Sequence, residues 1–214
     1  MHEGIGEAKI ASSNGEIDAV MVGTQEFIGD HYVFAAGPWT EKLVEILDVP
    51  LPMQPVRGQI ALYKIDPIQD SDSQSIALGP IVNDGSRYLV PRQDGHVLAG
   101  ATIEEVGFDC QVTKDEIADL RDWAENLSVE LNESTLVKSW AGLRPGTYDG
   151  FPYLGRLGEV PNAYVATGHF KSGLHLSTGT AVVLADLIEG KTVAIDLKPF
   201  SPFRAADHQS TDKI

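Results

Sequence analysis

Trp140-Ala141-Gly142-Leu143-Arg144-Pro145-Gly146-Thr147, resumed at Asp149-Gly150-Phe151-Pro152, is the stretch on which the reading turns. It sets one arginine between a glycine and a Pro-Gly turn. Arginine presents a planar fork of donors that matches a carboxylate bidentately. Pro and Gly restrict the backbone around it, so the fork is pre-set. The simplest role for Arg144 is therefore a carboxylate ligand, with an ion pair to one of 31 acidic residues as the competing reading.

Beyond this stretch, Asn162-Ala163-Tyr164-Val165-Ala166-Thr167-Gly168 predicts a buried strand. It runs through His169-Phe170-Lys171-Ser172-Gly173 into a helix from about Leu174 to Glu189, stopped by Gly190. Upstream, Thr113-Lys114-Asp115-Glu116 reads as a capping box opening a helix on which Ile117, Leu120 and Trp123 recur. Residues 86–92 and 96–102, joined by Gln93-Asp94-Gly95, predict a hairpin, and 58–65 a further strand. The polar, acidic run from Asp66 to Gln74 is expected to be a mobile loop. Tyr32-Val33-Phe34-Ala35-Ala36, ending at Gly37-Pro38, suits a strand buried on both faces, followed by a short helix over 40–47. Glu16–Val22 after the turn Ser13-Asn14-Gly15 reads as another strand, and the tail from Lys198 as docked coil.

The bulk properties narrow the function classes. Across 214 residues, 16 Lys+Arg oppose 31 Asp+Glu, a formal charge of −15. Such a field repels phosphate backbones and anionic lipid heads, so neither nucleic acid nor membrane is an expected partner. An anionic substrate needs a local positive site within it. The single cysteine, Cys110, cannot form an internal disulfide and fits a reducing compartment. No apolar run nears the roughly 20 residues that span a bilayer. Met1-His2-Glu3-Gly4 has neither a basic nor an apolar signal region, so the expected location is cytoplasmic. The six histidines show no metal-site spacing. Gly4-Ile5-Gly6-Glu7-Ala8-Lys9 fails as a dinucleotide fingerprint, because Lys9 stands where the third glycine belongs and no strand precedes it.

Five stretches in order resemble the FAD-dependent amine and amino-acid oxidases of the D-amino-acid oxidase family, most like its glycine oxidases. Val33–Trp39 is similar to the strand whose terminal glycine passes the cofactor. Pro55-Val56-Arg57-Gly58-Gln59 resembles the segment that enters the substrate domain along the flavin. Tyr88–Arg92 with Gly100-Ala101-Thr102 looks like the substrate-face hairpin. Arg144 lies in the fourth stretch, and Ala166–Leu174 resembles the strand-to-helix turn that meets the flavin ring.

The resemblance implies a mixed α+β fold, an antiparallel substrate-domain sheet plus the C-terminal part of an FAD-binding α/β domain. The implied division is 1–54 with 146–214 for the partial FAD domain and 55–145 for the substrate domain. Arg144, Tyr88, Ile103 and Lys171 are the implied substrate contacts. Ala36, Gly37, Trp39, Arg57, Gly58, Gly168, His169, Lys171, Ser172, Gly173 and Leu174 are the implied cofactor contacts. Arg57 is alternatively a bridge between domains, Tyr88 a strand aromatic, Ile103 a core residue, and Lys171 a solvated lysine. His169 and His175 are weighted toward packing, because hydride removal from a neutral amine needs no base. No side chain is assigned as acid, base or nucleophile, and no metal is expected.

The implied reaction oxidises the C–N bond of glycine, sarcosine or a small D-amino acid, with hydride transfer to FAD and formation of peroxide. Cys110 does not match a flavin attachment position, so FAD would be held noncovalently. The family's βαβ unit, which grips the ADP half of FAD through G-x-G-x-x-G, has no counterpart here. FAD binding is thus expected to be weak or absent in the isolated chain. A non-enzymatic remnant or partner-binding fragment is the alternative. The strand at Val33–Ala36 is expected either to recruit a second copy or a complementing N-terminal chain, or to be covered by the protein's own N-terminal residues.

Overall fold

The computed structural model describes residues 7–65 and 79–204. The acidic loop expected at 66–74 and the start at Met1–Gly4 lie outside the described residues. The fold is mixed α+β. In chain order it runs β1 (Ala8–Ser13), β2 (Glu16–Val22), β3 (Gln25–Phe27), β4 (Tyr32–Phe34), α1 (Thr40–Val44) and β5 (Gln54–Lys64). There follow β6 (Val82–Asp84), β7 (Arg87–Pro91), β8 (His96–Gly100), α2 (Lys114–Leu127), β9 (Thr135–Gly146), β10 (Tyr153–Arg156), β11 (Ala163–Thr167) and α3 (Gly173–Ile188). The chain divides into two compact units. One comprises the residues up to Gln54 and those from Arg144 onward; the other is Pro55–Leu143.

The Pro55–Leu143 unit is built on a sheet of order β6-β7-β8-β5-β9. The expected hairpin is β7–β8, with Tyr88 opposite Gly100. One face buries Ala61, Tyr63, Leu89, Val97 and Ala99 against Ile117, Leu120 and Ala124 of α2. Positions 117, 120 and 124 form the buried stripe of an amphipathic helix. Trp123, expected in it, is only partly buried and donates its indole N–H to Asp84 at 3.0 Å.

The helix starts where the capping box predicts, but the cap itself differs. Thr113 is the extended N-cap and makes no side-chain cap bond. Its hydroxyl accepts from Gln59 Nε2 at 2.9 Å, and its N–H donates to Gln59 Oε1 at 2.8 Å. Gln59 is wholly buried. Its amide must find partners or carry a desolvation penalty, so it captures the groups that local capping would have used.

The other unit holds a sheet of order β10-β11-β4, with β11 and β4 parallel and β10 and β11 antiparallel. Tyr32 and Phe34 pack with Val165 against Ile10 and Ile17 of the N-terminal β1-β2-β3 sheet. The Tyr32 hydroxyl donates to Asp18 O at 2.8 Å. Leu154 and Tyr164 pack instead against Val183 and Leu184 of α3.

The expectation of a strand buried on both faces from Tyr32 to Ala36 is corrected here. β4 ends at Phe34 and alternates, with Val33 44% exposed. It is the edge strand, and α3 lies against β10 and β11. N-terminal residues cover the Tyr32 and Phe34 face, while the outer edge of β4 pairs with no strand among the described residues. The helix expected at 40–47 is α1 followed by a 3-10 turn, closed by Asp48 at φ 53°. The tail forms a 3-10 turn over Lys198–Phe200 and docks through Phe200 and Phe203.

Candidate active site

Two of the sequence-predicted stretches meet at the carboxyl ends of the parallel strands. β4 delivers Ala36, Gly37 and Trp39, and β11 delivers Gly168. The Thr167 hydroxyl donates to Gly37 O at 2.8 Å and ties the two ends together. Ligands of α/β sheets bind outside these carboxyl ends. Gly37 has φ 57° and Trp39 is 47% exposed.

Gly168 has a structural reason to be glycine. Its φ is +81°, and a Cβ there would stand 2.5 Å from Thr147 Cγ2 and 3.3 Å from Pro152 Cα. Gly168→Ala is expected to destabilise the protein by about 2–3 kcal/mol through positive-φ strain and overpacking. A urea unfolding series measures this, and an alanine variant as stable as wild type would sink the close-approach argument.

From Gly168 the chain turns through His169, Phe170, Lys171 and Ser172 into α3. Phe170 adopts φ 48°, unusual for a bulky residue. Its N–H donates to Pro145 O at 3.0 Å. That bond seats the turn on the residue after Arg144. The Arg144 guanidinium carbon lies 6.0 Å from the Phe170 ring centroid, and Lys171 Nζ lies 5.6 Å from it. Two cations therefore share one aromatic ring. Loss of surrounding water, and then the charge of Arg144, hold Lys171 below the ordinary lysine value. An anion bound there would relieve that repulsion.

At the start of α3, Ser172 makes no side-chain cap bond and no acidic residue occupies the first turn. The leading N–H groups, with the positive end of the helix dipole, remain available for a negatively charged or electron-rich group. Leu174 beside them is 86% exposed. His169 Nε2 lies 3.0 Å from Thr180 Oγ1, and burial pushes its pKa down, favouring the neutral ring. The His175 side chain is exposed.

In the Pro55–Leu143 unit, Tyr88 is half-buried and its ring lies over Gly100, where a Cβ would meet Cζ and Oη at 3.0 Å. Ile103 is 47% exposed. Gly58 is buried beside Arg57. Arg57 is 4% exposed and ion-pairs with Glu104 at 2.6 Å and Asp109 at 2.7 Å. It also donates to Gln111 O at 3.0 Å. Glu104 further accepts from Thr102 and from Gln59. Glu104, Asp109 and Gln111 all belong to the same unit as Arg57.

The sequence reading missed Arg204. Its guanidinium is 7% exposed and forks onto Asp149, just beyond Arg144. Its partners lie about fifty residues away in sequence, so no local spacing signals them. Among the described residues, no group of three His, Cys, Asp or Glu could hold a metal, and no helix is long and apolar enough to cross a membrane.

Residues 5–187 match the model of the FAD dependent oxidoreductase family called DAO. Glycine oxidase of Pseudomonas aeruginosa is 37% identical over 193 residues, covering 90% of this chain and 48% of that protein. The crystal structure of glycine oxidase from Geobacillus kaustophilus aligns with a TM-score of 0.78 at 31% identity, covering 90% of this chain and 50% of that one. Iminodiacetate oxidase from Chelativorans sp. BNC1 shares the fold, with a TM-score of 0.81 at 22% identity over 92% of this chain and 52% of that one. The chain spans about half the length of these relatives.

Proposed function

The chain belongs to the FAD-dependent oxidoreductase family, and from that premise we propose that it forms the substrate-facing half of an amino-acid oxidase of the glycine oxidase type. The substrate is a small amine-bearing carboxylate: glycine, sarcosine or a small D-amino acid. The observation that carries this reading is the pair of cations, Arg144 and Lys171, on the Phe170 ring. They stand at the carboxyl end of β11 in a chain of net charge −15.

In this reading Arg144 holds the substrate carboxylate, assisted by Lys171. Ala36, Gly37, Trp39, Gly168, His169, Ser172, Gly173 and Leu174 cradle FAD. Several features support the cradle. Gly168 admits close backbone approach, the start of α3 lacks a side-chain cap, and Thr167 joins two of the stretches. When bound, FAD supplies the hydride acceptor, and its reoxidation by oxygen yields peroxide. Arg144 orients the substrate α-carbon, a positioning effect that lowers the barrier. The imine product hydrolyses in water to an oxo acid and ammonia.

A partner-binding role for the isolated chain is favoured by a specific observation. Val33 on the edge strand and Leu174 and Val182 on α3 are exposed, and α3 carries no charged residue before Asp186. A helix apolar on most sides normally packs on other protein. The reading is therefore that the exposed faces of β4 and α3 pack against further protein of the family length, with a second copy of this chain as the other occupant.

The test is flavin absorbance of the purified chain and peroxide release with glycine. Each is measured alone and with the unmatched part of the Pseudomonas aeruginosa glycine oxidase. Flavin retention and peroxide in the mixture support the reading. Neither signal in either sample would leave the carboxylate- or partner-binding fragment standing.

A further inference from the structure

The tail of the described chain closes on the turn that follows Arg144. Arg204 Nε donates to Asp149 Oδ2 at 2.7 Å and Nη2 to Asp149 Oδ1 at 2.9 Å. Nη1 donates to Pro152 O at 3.2 Å and Ser201 O at 3.1 Å, and Nη2 also reaches Phe151 O. The guanidinium carbon lies 3.9 Å from the Tyr153 ring centroid. A guanidinium this buried needs all its donors answered, and here they are answered by one turn and by Ser201, three residues back.

Asp149 organises that turn from within. Its Oδ1 accepts the Phe151 N–H at 3.1 Å and lies 3.3 Å from the Thr147 hydroxyl, which is also 2.9 Å from Phe151 O. Hydrogen bonding from Arg204 pulls the Asp149 carboxyl down to about 2, so the pair persists through the acidic range.

The same turn is the floor under Gly168. Thr147, Pro152 and the Tyr153 N–H are the atoms a Cβ at Gly168 would strike. Pro145, at the entry to the turn, accepts the Phe170 N–H. A continuous contact path thus runs from Arg204 through residues 147–152 to the strand-to-helix turn.

We infer that Arg204 is a positioning residue: by fixing the Thr147–Pro152 turn it seats the Gly168–Phe170 turn and so places the Phe170 ring that Arg144 and Lys171 share. Its importance for substrate rests on the carboxylate role proposed above for Arg144 and Lys171; its structural part does not.

Amide hydrogen exchange on the full chain tests the structural part. The Phe170 amide reports the seated turn, and the Tyr32 amide, bonded to Asn162 O at 2.8 Å, reports global opening of the same unit. In Arg204→Gln the Phe170 amide should exchange at least roughly tenfold faster than in wild type, while Tyr32 changes much less. Arg204→Lys, which keeps the charge but not the fork, should restore only part of the protection. Asp149→Asn should reproduce the Gln variant and serves if Arg204→Gln does not fold. Equal acceleration of both amides, or full restoration by lysine, would overturn the inference.

Titration with acetate, followed at the Lys171 amide by NMR, separates this from the functional reading. Weaker acetate binding in Arg204→Gln with loss in Arg144→Ala is the expected pattern. No acetate binding in wild type, with the exchange result intact, would sink the carboxylate reading and leave the positioning role.

Discussion

Arg144→Ala should weaken carboxylate binding by about 2–5 kcal/mol, the range for losing one partner of a desolvated, hydrogen-bonded charge pair. The effect is expected to be selective. Fold stability and any flavin retention should change little, because the alanine still fits strand β9 and Pro145 still accepts the Phe170 N–H. Arg144→Lys should recover only part of the loss, since an ammonium lacks the bidentate fork. Competition binding with acetate and, in flavin-loaded material, kcat/KM for glycine provide the measurement. Equal loss of flavin and carboxylate affinity would refute a carboxylate role. pH adds a check on Lys171. Its pKa is lowered by lost hydration and by Arg144, so its charge and its share of anion affinity are present at low pH and fade as pH rises through that lowered value. Lys171→Met should flatten this alkaline limb.

Arg57→Ala should destabilise the Pro55–Leu143 unit by about 3–5 kcal/mol, because it strips the cation from a largely buried carboxylate. Glu104 has 14% side-chain exposure, and among the described residues Arg57 is its ion-pair partner. Burial alone would push the Glu104 carboxyl up. Hydrogen bonds from Arg57, then Thr102 and Gln59, overcome that and hold it below the ordinary carboxylate value. The sign follows from this lowered pKa. Glu104 contributes stability above the unfolded carboxylate pKa, and the contribution is lost as pH falls through the folded value. In Arg57→Ala the pull is removed and burial dominates, so acid should relieve part of the penalty. Urea unfolding at pH 7 and near pH 4 should show the gap between wild type and variant narrowing in acid. A constant gap would mean that the two residues are not linked through charge.

The sequence made short-range features legible. The hairpin at 86–102 and the helix after Ser172 depend on neighbours a few residues apart. So did the neighbourhood of Arg144 and Phe170, which the family-like stretches brought under one reading. Features made by distant groups stayed hidden. Gln59 took over the Thr113 cap from 54 positions away. Arg204 found Asp149 across 55. The Thr135–Gly146 strand carries too weak an alternation to announce itself, with Leu136 and Val137 both exposed. Val33 looked doubly buried because an apolar run cannot tell a central strand from an edge. Hydrophobic pattern specifies which surface seeks cover, not whether a neighbour is there to provide it.

The parallel pairing of β4 with β11 also sets an order of events in synthesis. The bond from Thr167 to Gly37 closes across 130 residues. At roughly 5–20 residues per second, β4 waits on the order of ten seconds or more for the strand that completes it. Throughout that interval β4 lacks its parallel strand partner, although Ile10 and Ile17 of the N-terminal sheet are already made, while the intervening unit has its whole sequence in hand. The β1-β2-β3 sheet and the intervening unit have their whole sequences before β4 has its partner, so β4 pairing is among the last steps, possible only once residues 163–167 have emerged.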